Sequence, residues 1–160
     1  MACKKDNYEI VKYLIDHGAN VNDISLYGNT ALIYSCQKNG ENNVEIIKYL
    51  IEHNANVNSR SRSEYNAILY ACRSHEVNVI EYLIEHGCNI NDMSKDGSSS
   101  LINACKFNND TVIKYLIDQS VDINHVDKSG NSALIYTFIN KNISMSKYLI
   151  EHGANVNQND

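Results

Sequence analysis

The segment Tyr148–Asn157, YLIEHGANVN, is a near-copy of four earlier segments of the same chain. They read YLIDHGANVN from Tyr13, YLIEHNANVN from Tyr49, YLIEHGCNIN from Tyr82 and YLIDQSVDIN from Tyr115. The steps between their tyrosines are 36, 33, 33 and 33 residues. A fixed period of this size marks an array whose units bury their apolar faces against one another. That reading takes precedence over the single compact domain that 160 residues would otherwise allow.

One full unit, Asp92–Asn124, reads DMSKDGSSSLINACKFNNDTVIKYLIDQSVDIN. Gly97 supplies the positive φ of a tight turn. Ser99 is the expected N-cap of a short helix, SLINACKF, whose buried stripe is Leu101, Ala104 and Cys105. The NND segment breaks that helix. A second is expected from about Asp110–Thr111, with Asp favoured by the helix dipole and the hydroxyl as cap. Its apolar face is Val112, Ile113, Leu116 and Ile117. Sister units close this helix with His17-Gly18, His86-Gly87 and His152-Gly153, where glycine provides the left-handed residue. Asn54 and Ser120 stand in for that glycine, and strain is expected at Ser120. The NVN or NIN that follows is a short extended piece.

These units resemble ankyrin repeats. The family's opening pattern D-x-x-G-x-T-P-L-H has counterparts in SLYGNTALI from Ser25, SRSEYNAIL from Ser61, SKDGSSSLI from Ser94 and DKSGNSALI from Asp127. Small pairs follow at Ser35-Cys36, Ala71-Cys72 and Ala104-Cys105, and the opening segment matches the family's G-A-x-V-N ending. The resemblance implies an all-α solenoid of stacked helix–loop–helix units joined by short β-turn or hairpin fingers. The whole chain, 1–160, then forms one domain: a partial repeat at 1–24, full repeats at 25–58, 59–91, 92–124 and 125–157, and a tail at 158–160. The family's proline is replaced by Ala31, Ala67, Ser100 or Ala133, and its loop-tying histidine by Ile33, Leu69, Ile102 or Ile135. Glu64 occupies the place of a turn glycine. Three extra residues within Gln37–Asn43 explain the longer step and are expected to bulge from an interhelical loop. Ser146 and Phe138 depart from the apolar and small residues of their registers, which fits the polar outer face of a C-terminal cap.

The net charge of -5 offers no global attraction to nucleic acid or an anionic membrane. No apolar run approaches the roughly 20 residues of a membrane-spanning helix. Five cysteines, four of them (Cys3, Cys36, Cys72 and Cys105) at one place in the repeat, read as packing residues rather than a disulfide framework. His17, His53, His86 and His152 recur one repeat apart at helix ends. They complement the helix dipole, and helices packed at about 8–10 Å cannot bring them onto one metal ion. Tyr13, Tyr49, Tyr82, Tyr115 and Tyr148 form a ladder, expected half-buried with hydroxyls in water. No nucleophile motif or phosphate-cradling loop is present, so neither catalysis nor a cofactor is expected.

In a repeat array, residues that break the register are free to serve a partner. The resemblance implies recognition through finger tips and the inner faces of first helices. In the second unit that surface is Tyr27, Asn29, Tyr34 and Lys38. The third unit adds Arg62, Tyr65, Tyr70 and Arg73, and the fourth Lys95, Asp96, Lys106 and Phe107. Lys128, Asn131, Tyr136 and Ile139 complete it. All three arginines, Arg60, Arg62 and Arg73, fall in the third unit, and Arg62 with Arg73 points to an acidic or phosphorylated segment of a protein partner. The expected protein is a monomeric interaction scaffold in the cytoplasm or nucleus. The alternative is a structural spacer, or a substrate-presenting segment of a larger protein.

Overall fold

The structure, a computed structural model, describes residues 8–37, 41–73 and 77–157. Cys3 and Lys38 lie outside them. Among the described residues the chain forms α1 (Tyr8–Asp16), α2 (Ala31–Cys36), α3 (Glu41–Glu52), α4 (Ala67–Ala71), α5 (Val77–Glu85), α6 (Ser100–Lys106), α7 (Asp110–Asp118), α8 (Ala133–Ile139) and α9 (Ile143–Glu151). The short helices α2, α4, α6 and α8 stack successively on one another. Each also packs on the longer helix that follows it, and α1, α3, α5 and α7 stack as a second row. The fold is therefore the expected helical solenoid. Among the described residues its fingers carry isolated antiparallel bridges, Met93 with Ser99 and Val126 with Ser132.

Every short helix starts from an oxygen-bearing N-cap. Thr30, Asn66, Ser99 and Ser132 accept the N–H of Ile33, Leu69, Ile102 and Ile135. Those last residues replace the family's histidine, and three of them, Ile33, Leu69 and Ile102, are buried. The apolar exchange thus feeds the core, where contiguous Leu, Ile and Val side chains run between the two helix rows. α7 is capped by Asn109 and not by the expected Thr111, because the amide oxygen of Asn109 reaches the Val112 N–H at 3.3 Å. Asn142 does the same for α9.

The four register histidines close the long helices more directly than a dipole argument requires. His17, His53, His86 and His152 each place Nδ1 at 2.8 Å from the carbonyl of the tyrosine four residues earlier. A carbonyl only accepts, so Nδ1 carries the proton. The imidazole also lies against that tyrosine's ring, with centroids 4.0 Å apart at His17, His53 and His152 and 4.1 Å at His86. Histidine and tyrosine recur together because they form one cap.

Two expectations need correction. The added length goes into a helix: α3 has 12 residues where α1, α5, α7 and α9 have 9, and residues 38–40 of the expected bulge lie outside the described residues. Nearly one added helical turn keeps its backbone hydrogen-bonded, which an open bulge would not. The last unit does not present a polar outer face either. Ile143, Ile150 and Val156 are exposed, and Phe138 is 79% exposed where its register-mates Cys36, Cys72 and Cys105 are buried. The tyrosine ladder holds for Tyr49, Tyr82, Tyr115 and Tyr148, which are half-buried, but Tyr13 is exposed. The Tyr49 hydroxyl is not free in water; it donates to Asp16 at 2.6 Å.

The expected backbone strain is present: Ser120 has φ +57° and Asn54 φ +66°. A left-handed residue other than glycine costs about 1–2 kcal/mol, partly offset by the greater unfolded-state freedom of glycine. Ser120→Gly should therefore stabilise the protein by about 0.5–1 kcal/mol, read as a higher urea midpoint at unchanged slope. A lower midpoint would show that Ser120 contributes through its hydroxyl and not its strain.

Candidate functional site: the finger edge

Each finger is closed by a serine or aspartate at its first turn position. Ser25 accepts the Asn29 N–H at 3.2 Å, Ser61 that of Tyr65 at 3.1 Å and Ser94 that of Ser98 at 3.2 Å. Asp127 accepts those of Ser129 and Asn131. These turns are then hydrogen-bonded to one another across the repeats. The backbone N–H of Arg62 donates to the Tyr27 carbonyl at 3.0 Å, Lys95 to Ser63 at 3.1 Å and Lys128 to Asp96 at 2.9 Å. This ladder supplies the loop-to-loop rigidity that the missing family histidines would have given.

The close approach explains the turn glycines. Gly28 and Gly97 have φ +76° and +78°, and a Cβ on either would sit 3.0–3.1 Å from the amide of Arg62 or Lys128. Glu64 holds the equivalent place at φ +59°.

Across the first three of these fingers lies a cleft of about 480 Å³ walled by Tyr27, Arg62, Tyr70 and Lys95, and completed by Ser61, Ser63 and Asn29. Arg62 and Lys95 are exposed, and neither enters an ion pair among the described residues. Asn29, expected at the surface, is buried, and its Oδ1 has no hydrogen-bond partner among the described residues. The expected pairing of Arg62 with Arg73 is not what lines the cleft. Arg73 instead lays its guanidinium 4.0 Å from the Phe107 ring centroid and 5.4 Å from that of Tyr70. The second cation of the cleft is Lys95. Arg60 is structural: it pairs with Asp92 at 2.6 Å and donates to the Met93 and Glu64 carbonyls.

The remaining candidates fall into a tied group and a free group. Tyr34 donates to Ser25 at 3.0 Å, and Tyr65 donates to Asn103 at 3.2 Å while packing on Tyr70. Lys106 bonds Asp96 at 3.2 Å and Ser98 at 2.6 Å, and lies 3.5 Å from Asp127 and over the Tyr136 ring. Tyr136 in turn donates to Asp127 at 2.6 Å, and Asn131 reaches the Tyr136 hydroxyl at 3.4 Å. Asp96 also accepts from Ser94 and Ser98. Burial opposes ionisation of Asp96, yet these hydroxyls and Lys106 hold its carboxyl down at about 2. Tyr27, Lys128 and Ile139 remain exposed and free among the described residues, and Phe107, also exposed, carries the Arg73 guanidinium on its ring.

Ser98 belongs to the recognition surface expected from the sequence, whereas Asp127, Asp92 and Ser94 do not. Their signal was the Ser/Asp register at positions 25, 61, 94 and 127. The buried thiols are packing groups: burial pushes Cys72 up to about 12 and Cys88 to about 11, and raises Cys36 and Cys105 as well. No helix of the described residues is long and apolar enough to cross a membrane. The family model for ankyrin repeats (3 copies) matches residues 1–94 and 91–160. No curated protein matches the chain.

Proposed function

Because the chain belongs to the ankyrin-repeat family, we propose that it is a noncatalytic interaction module that binds a protein partner through its fingers and short helices. Ankyrin repeats in general serve protein–protein interaction. The finer reading is that the partner presents an acidic or phosphorylated segment to the cleft of Tyr27, Arg62, Tyr70 and Lys95, and that the module acts as a monomer in the cytoplasm or nucleus.

One observation carries this reading: the apolar residues that repeat supply the buried core, whereas the cleft combines two exposed cations, in no ion pair among the described residues, with aromatic walls. Aromatic and arginine side chains are the usual anchors of an interface. A spacer would have no need of such a cleft.

The test is comparative capture from cells of the source organism, with mass-spectrometric quantitation. Arg62→Ala/Tyr70→Ala should lower recovery of the partner about ten-fold or more, while Lys114→Ala, on the opposite helix row, leaves it unchanged. Equal recovery by both variants, with the fold intact by circular dichroism, would refute the proposal.

A further inference from the structure

We propose that Arg62, Lys95 and Lys128 form a cationic ladder that seats an extended acidic segment across the fingers, with a carboxylate at about every third residue. The proposal rests on the interaction reading above and specifies the partner's chemistry.

The three residues occupy the same position in successive fingers. Each donates its own backbone N–H to the finger before it, to Tyr27, Ser63 and Asp96 respectively. That shared bond holds the three residues in one orientation, one repeat apart. All three side chains are exposed, and none enters an ion pair among the described residues. The neighbouring cations are differently placed. Arg60 is neutralised by Asp92 and Lys106 by Asp96 and Asp127, while Arg73 is stacked on Phe107. Within a chain of net charge -5, the finger edge therefore keeps an uncompensated row of positive charge.

The carboxylates of the fingers do not quench it. Asp96 is held by Ser94, Ser98 and Lys106, and Glu64 forms no ion pair with the row. In the first complete finger the same register position is Leu26, which is exposed and apolar, beside the exposed Tyr27. The ladder thus ends on an apolar rung.

Stacked helices repeat at about 8–10 Å, and an extended chain advances about 3.3 Å per residue. A segment crossing the fingers meets one rung per three residues or so. Its fitting pattern is an apolar residue followed by acids at every third position. Exposed ion pairs are individually weak and screened by salt, so selectivity has to come from matching several rungs at once.

Fluorescence anisotropy at low ionic strength tests this with the whole chain and a fluorescein-labelled peptide carrying one leucine and then glutamate at every third position. Binding should weaken about ten-fold in Arg62→Ala/Lys95→Ala/Lys128→Ala, whose circular dichroism and melting temperature stay at parent values. A peptide of the same composition with its glutamates adjacent should bind several-fold more weakly to the parent. The ladder is overturned if the triple variant binds the peptide as the parent does. It is equally overturned if the adjacent-glutamate peptide binds as well, or if oligothymidylate of matching charge binds more tightly. In the capture experiment, a partner lost on Arg62→Ala/Tyr70→Ala but kept by Lys95→Ala/Lys128→Ala would also overturn the ladder, and would leave the interaction reading standing.

Discussion

Leu83→Ala should lower the unfolding free energy by about 3–5 kcal/mol, whereas the same truncation at its register-mate Leu14 should cost only about 1 kcal/mol. Both leucines occupy the same place in the repeated segment, so local sequence gives no reason for a difference. Their surroundings do. Leu83 is 0% exposed between neighbouring helices, while Leu14, on α1, is 46% exposed. In a quasi-one-dimensional stack, stability is a sum of unit and neighbour terms, and only a unit enclosed on both sides collects the full set. Urea unfolding followed by circular dichroism measures both values. Equal losses would mean that the two leucines share one environment, contrary to a stack.

The second large effect concerns Asp127. Its buried carboxylate accepts the Tyr136 hydroxyl and the Ser129 and Asn131 N–H groups, and faces Lys106. Asp127→Ala should cost about 2–3 kcal/mol, because it leaves the Tyr136 hydroxyl and two turn amides without their acceptor and removes one of the two carboxylates facing Lys106, which keeps Asp96. Asp127→Asn keeps an acceptor for the amides but not the charge, and should lose roughly half as much. The same network sets an acid limit. Burial alone would raise Asp96 and Asp127. The hydroxyls of Ser94 and Ser98 with Lys106 depress Asp96 to about 2, and Tyr136, the two amides and Lys106 depress Asp127. A carboxyl depressed in the folded state binds protons more readily when unfolded. The stability it confers is therefore complete above its unfolded value near 3.8 and fades as pH falls through its folded value. Asp96→Asn/Asp127→Asn should flatten the stability–pH curve between about pH 4 and pH 2. An unchanged acid limb would show that other carboxylates govern it.

The period, the helix pairs and the buried stripe were legible in the sequence because an apolar face at helical spacing has few alternatives. Ser99 was readable as a cap for the same local reason. The role of the NVN endings was not, since it depends on the next unit. Asn22 donates to the Asn54 carbonyl at 3.0 Å and accepts the Asn56 N–H at 2.8 Å. Asn124 makes the same pair of bonds to Gly153 and Asn155. These amides clamp one repeat to another, using helix-end carbonyls that have no partner within their own helix. Surface residues were the hardest to read. Arg73 and Lys106 share a register, yet Arg73 stacks on Phe107 of the following repeat, whereas Lys106 is neutralised by Asp96 of its own finger and Asp127 of the next. The cleft likewise takes its second cation from a different unit than the one holding the arginines.

The central claim is a division of labour: the buried register residues hold the stack, and the exposed side chains of the finger edge are free for contact. The most direct measurement is the unfolding free energy of Tyr27→Ala/Arg62→Ala/Lys95→Ala/Lys128→Ala. Surface substitutions away from packing each change stability by about 0.5 kcal/mol or less. The account predicts that the quadruple variant stays within about 1 kcal/mol of the parent, with substitutions of either sign partly offsetting one another. A loss of about 4 kcal/mol or more would contradict it, since those side chains would then be holding the fingers together.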